Sequence, residues 1–78
     1  MTPTQNTLET LARCGGKAET YELCHRLDYD FKQIDGVWTR LKANGYAMRH
    51  NDTVKLTRDG WIAACNVMDA FLIEQGCL

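Results

Sequence analysis

The sequence predicts a mainly α-helical domain with one small β-hairpin, in the order α-(β)-α-α-β-β-α. Three observations carry this. Apolar residues recur at helical spacing behind N-cap residues in several stretches. After Asn44-Gly45 the period drops from 3.6 to 2. Beyond Leu56 a long apolar stretch returns to the helical period.

Asn6-Thr7-Leu8-Glu9 fits a capping box, and Leu8, Leu11 and Ala12 follow at helical spacing. Helix 1 is therefore expected over 7–14, after a flexible stretch 1–6, with Gly15-Gly16 as its stop. Lys17-Ala18 is a short connector with room for a one-bridge strand. A second helix starts at Glu19 or Thr20 and carries Leu23, Cys24 and Leu27 on its apolar face. Asp28-Tyr29-Asp30 breaks it. Asp30-Phe31-Lys32-Gln33 is a second capping box. The third helix then buries a stripe of Phe31, Ile34, Trp38 and Leu41, with Val37 beside it. Lys32, Gln33, Asp35, Gly36, Thr39, Arg40 and Ala43 are left outward or lateral. Two helices joined by a three-residue turn describe a helix-turn-helix, here over about 19–44.

The hairpin covers about 46–56. Asn51-Asp52 is its two-residue turn, because Asn and Asp tolerate positive φ. Met48, Val54 and Leu56 are expected on one face, with Arg49 and Lys55 pointing away from it. Thr57 is the N-cap of a last helix, over about 57–75, whose apolar face is Trp61, Ala64, Cys65, Met68, Phe71 and Leu72. Phe71, Leu72 and Ile73 exceed what a small core covers, so they are the candidate dimerisation surface; the alternative is a longer helix packed wholly on helix 1.

The chain has 78 residues, 45% hydrophobic and 24% charged, with net charge −1, which fits one small domain over 7–78. It is too apolar for a disordered tail and has no apolar run of membrane-span length. With neither a basic start nor an apolar block at the N-terminus, the expected compartment is the cytoplasm. Cys14, Cys24, Cys65 and Cys77 form no CxxC, and three of them fall in apolar-periodic stretches. They read as reduced, mostly buried thiols; a redox switch is the sharper alternative. Cys24 and His25 are adjacent on a helix, about 100° apart, and so make a poor metal pair. No metal site or cofactor is expected. No glycine-rich phosphate loop, HExxH or paired carboxylates is present, so an enzyme is not expected. Trp38 and Trp61 lie on apolar stripes and read as core rather than as a ligand pocket.

The order and three motifs resemble the winged helix-turn-helix domain of small regulators of the MarR, ArsR and PadR type. The stretch Ile34 to Tyr46 resembles the family's recognition helix and its step into the wing. Val54-Lys55-Leu56-Thr57-Arg58-Asp59-Gly60 resembles the exit from the wing, and Tyr21 to Leu27 the first helix of the motif. The resemblance covers about residues 7–74. It implies a cofactor-free regulator that binds double-stranded DNA, as a homodimer formed through terminal helices. Asp28 stands where the motif's turn usually carries glycine, and Asp35 and Gly36 stand where related regulators place polar or basic contacts.

The charge distribution agrees with this. Residues 32–58 hold Lys32, Arg40, Lys42, Arg49, Lys55 and Arg58 against Asp35 and Asp52, whereas the rest of the chain is net acidic. The candidate DNA-binding residues are Lys32, Gln33, Thr39, Arg40 and Lys42 on the third helix, and Arg49, His50 and Lys55 on the wing. Gln33 has two readings, pairing with adenine or closing the capping box. Asp35, Gly36 and the acidic outer regions support a competing reading, a protein-interaction module on the same scaffold that does not bind DNA.

Overall fold

The computed structural model describes the backbone of residues 2–74 and the side chains of residues 2–69. Its elements are α1 (Pro3–Arg13), β1 (Lys17–Glu19), α2 (Thr20–Leu27), α3 (Phe31–Ala43), β2 (Ala47–His50), β3 (Thr53–Leu56) and α4 (Arg58–Glu74). The expected order is the observed one.

Helix α1 begins four residues earlier than the Asn6 pattern implies. Thr2-Pro3-Thr4-Gln5 is itself a capping box: the Gln5 amide donates to Thr2 Oγ1 at 3.2 Å, and the Thr2 amide donates to Gln5 Oε1 at 2.9 Å. Pro3 sits at the first helical position, where its missing N–H costs nothing. Residues 3–6 are thus helical rather than a flexible lead, and Asn6 lies inside the first turns. Thr7 is buried, and its hydroxyl is satisfied by donation to the Pro3 carbonyl at 2.8 Å.

Asp28 ends α2 in the left-handed conformation, with φ 57°, so an aspartate does the work of the missing turn glycine. Asp30 then caps α3, accepting from the Gln33 amide at 2.8 Å while Gln33 Oε1 accepts from the Asp30 amide at 3.0 Å. At the far end, Gly45 takes φ 72° and donates to the Lys42 carbonyl, and Tyr46 donates to that of Leu41. This six-residue closure satisfies the last helical carbonyls and turns the chain straight into β2.

The sheet is antiparallel, in the order β1-β3-β2. Asn51 has φ 55° in a two-residue turn that places His50 opposite Thr53. The register corrects the expected faces of the hairpin. Ala47 pairs with Leu56 and Arg49 with Val54, so Ala47, Arg49, Val54 and Leu56 share the inner face. Met48 pairs with Lys55 on the outer face and is 68% exposed. The inference from Met48 was one residue out of register: Tyr46 belongs to the α3 closure, and β2 starts only at the small, buried Ala47.

The core joins Leu8 and Leu11 of α1, Leu23 of α2, Ile34, Val37 and Leu41 of α3, the inner sheet residues and Ala64 of α4. Phe31 does not belong to it. At the first helical position, about 85° from the middle of the buried stripe, it is 67% exposed. On α4, Ala64 is fully buried, but Cys65 is exposed, Ile62 is 52% exposed and Trp61 39%. The exposure of Cys65 and Trp61 corrects the expected apolar face, to which Ile62 does not belong. Trp61 still packs on the backbone of Gly16. The candidate dimerisation residues Phe71, Leu72 and Ile73 continue α4, and their side chains lie outside the described residues, as does Cys77.

The start of α4 is tied to the end of α3. Thr57 accepts the Gly60 amide at 3.0 Å as N-cap, donates its hydroxyl to the Gly45 carbonyl at 2.6 Å, and donates its amide to Tyr46 O at 3.0 Å. A Cβ on Gly60 would overlap the Tyr46 carbonyl, which is why the wing-exit pattern ends in glycine.

Candidate nucleic-acid interface

Helix α3 turns Ile34, Val37 and Leu41 inward and leaves Lys32, Gln33, Asp35, Gly36, Thr39, Arg40, Lys42 and Ala43 exposed. At 100° per residue, Lys32, Gly36, Thr39 and Ala43 run along the middle of the outward face. Asp35 lies on the flank toward the hairpin, and Arg40 and Gln33 on the flank toward the start of α1. Gln33, Gly36 and Arg40 line a shallow cleft there with Pro3 and Tyr29. The Gln33 side chain is engaged in the cap of α3, so the second of its two readings is the one observed. The Thr39 hydroxyl donates to the Asp35 carbonyl at 2.9 Å.

Cations differ by region. Arg13 pairs with Glu9 at 2.9 Å and Arg26 with Glu22 at 3.1 Å, each within its own helix. Among the described residues, Lys32, Arg40 and Lys42 of α3 have no ion pair, and neither do Lys17, Lys55 and Arg58. Arg49 is held at the wing tip: its Nε donates to the Asn51 carbonyl at 3.1 Å, and its guanidinium lies 3.6 Å from Asp52.

The wing candidates do not share one face. Arg49 is on the inner side, in a depression between wing and helices that it lines with Thr20, Tyr21, Phe31, Asp35 and Asp52. His50 and Lys55 are on the outer side. Lys55 stands directly opposite Lys17 of β1, a like-charge cross-strand pair that the sheet gains nothing from. Lys17 was missed as part of this surface because the β1–β3 pairing has no local sequence signal. Tyr21 and Phe31, 65% and 67% exposed, were missed because helical spacing alone assigned Phe31 to the core.

The other candidates resolve simply. The cavity beneath Trp38 is about 10 Å³, the size of one water, and Trp38 is half-buried against the core. Cys14 and Cys24 are half-buried free thiols, whereas Cys65 is exposed, against the expectation of burial. Burial, reinforced by the negative charges of Asp30 and Asp35, pushes the Cys24 thiol above its ordinary pKa and away from thiolate reactivity. Among the described residues no three His, Cys, Asp or Glu side chains converge, and no helix is long and apolar enough to cross a membrane.

No family model and no curated protein matches the chain. Solved structures do. A probable transcriptional regulator from Pseudomonas aeruginosa superposes with a TM-score of 0.77 at 27% identity, over 90% of this chain and 58% of that one. The transcriptional regulator Tm0710 from Thermotoga maritima gives 0.71 at 26% identity, over 95% and 58%. Ligand-free NadR gives 0.80 at 19% identity, over 99% and 59%, a likeness of fold. The chain therefore spans about three fifths of the length of these structures. It carries a winged helix-turn-helix domain, and its neighbours among solved structures include transcriptional regulators.

Proposed function

We propose that the chain binds double-stranded DNA as a transcriptional regulator, with α3 in the major groove and the wing on the backbone. The observation that carries this reading is the uncovered face of α3, whose cations Lys32, Arg40 and Lys42 have no acidic partner among the described residues. A helix exposed over this width fits the major groove. Arg40 is assigned to guanine or phosphate, Lys32 and Lys42 to phosphates, and Thr39 to a thymine methyl or a phosphate. Gln33 holds the helix start and contributes through α3 rather than through a base. Arg49 reaches the backbone from the inner side of the wing, His50 and Lys55 from its outer side and tip. A homodimer joined through Phe71, Leu72 and Ile73 would set two α3 helices against a two-fold site.

The test is a titration of mixed-sequence duplex at two ionic strengths. Binding should weaken steeply with salt, and Arg40→Ala and Lys55→Ala should each weaken it while unfolding transitions stay unchanged. No gel shift at low salt would sink the reading and leave a protein-interaction role for the domain.

A further inference from the structure

Two exposed aromatic side chains and an unpaired acid meet at one end of α3. Tyr21, in the first turn of α2, and Phe31, the first residue of α3, line the same depression as Asp35. A single exposed apolar residue needs no explanation, but these two share one hollow, at the helix end that a helix-turn-helix presents to base edges. Asp35 follows Phe31 by four residues, so both project from one side of α3 about 6 Å apart along its axis. Asp35 has no ion pair among the described residues, although Arg49 lines the same hollow.

A carboxylate here opposes every phosphate that approaches α3. Two bases offer an amino donor in the major groove, adenine through N6 and cytosine through N4; beside adenine's N6 stands the acceptor N7, which repels a carboxylate, so cytosine is the better match. An apolar ring finds its match in the methyl group of thymine. Gly36 supplies an independent sign of a close partner. A Cβ there would meet nothing within 4 Å, so packing within the fold does not require glycine. Glycine weakens the helix there relative to alanine. Its bare backbone, next to Asp35, lets a flat surface come closer than a side chain would allow.

We propose that Phe31 and Asp35 make α3 a reader of pyrimidines, Phe31 resting on a thymine methyl and Asp35 accepting from a cytosine amino group within about two base-pair steps, at 3.4 Å per step. This rests on the DNA-binding reading above and adds base specificity to it. Asp35 then acts mainly by exclusion: it weakens binding to every sequence that lacks the cytosine.

The experiment is selection of bound sites from a randomised duplex pool by the full chain, followed by titration of the selected duplex with thymine or deoxyuridine at each position. The expected site carries C and T within two steps. Removing the methyl at that T should weaken binding about fourfold, and Phe31→Ala should bind both duplexes equally. Asp35→Ala should lose about tenfold of its preference for the C while binding unrelated duplex as well as or better than the wild type. Both positions are exposed, and circular dichroism checks that the variants fold. Equal binding of the thymine and deoxyuridine duplexes by the wild type overturns the proposal while leaving DNA binding intact. So does a Phe31→Ala variant unchanged on all DNA, which would make the aromatic end a protein surface. Absence of any duplex binding fails the underlying reading and this one together.

Discussion

Helices α1 and α2 pair their arginines with a glutamate four residues earlier; among the described residues α3 leaves its cations without an acidic partner, and the sheet pairs Arg49 with Asp52 but neither Lys17 nor Lys55. Arg13 and Arg26 each have a glutamate four residues before them, at 2.9 and 3.1 Å. Lys32, Arg40 and Lys42 have no such neighbour, because the positions four residues before them hold Asp28, Gly36 and Trp38. Asp28 is spent on the turn, outside the helix. Both regions leave their cations exposed, so the difference lies in pairing. Cations that are already paired help a helix stand alone. Cations left without partners raise the local potential and favour an anionic ligand.

The largest expected break in this contrast comes from removing two free cations at once. Lys32→Ala with Arg40→Ala should lower duplex affinity at least about tenfold and reduce the salt slope by about 2, whereas Arg13→Ala with Arg26→Ala should leave both unchanged. Fluorescence anisotropy across a salt series measures this, and equal losses in the two double variants would erase the distinction. Thr57→Ala touches the joint between α3 and α4 and should cost about 1 kcal/mol of stability in urea unfolding, from the lost N-cap. Gly36→Ala should move the other way, stabilising the fold by about 0.5–1 kcal/mol while weakening duplex binding. That opposition separates a surface kept for a ligand from one kept for the fold. The smallest effect is expected at the paired side. Glu22→Gln should cost no more than about 0.5 kcal/mol and should leave DNA binding alone, because Arg26 and Glu22 are largely exposed.

Much of the frame could be read from local chemistry. The Asp30–Gln33 box, the Asn51-Asp52 turn and the Thr57 cap are all short-range signals, and each stands where expected. The outward set on α3 follows from helical geometry and is exposed throughout. Long-range pairing was not legible. Whether Met48 or Arg49 faces inward depends on where β2 begins, and that is fixed by the helix closure at Gly45 and Tyr46 rather than by the hydropathy of a four-residue strand. The start of α1 is ambiguous in sequence because two capping-box patterns, Thr2–Gln5 and Asn6–Glu9, follow one another directly, and Pro3 favours the earlier one. Phe31 shows the limit of spacing arguments at a helix end: it has the right offset from Ile34 but no turn before it to carry it under the sheet.

One threonine joins the end of α3 to the start of α4. Its hydroxyl and amide hold the Gly45 and Tyr46 carbonyls, and Gly60 sits against that same peptide with no gap for even a methyl group. The two helices therefore behave as arms of a single lever with a stiff fulcrum. Any change in the direction of the far arm is passed to α3, because the close approach at Gly60 leaves no room to absorb it.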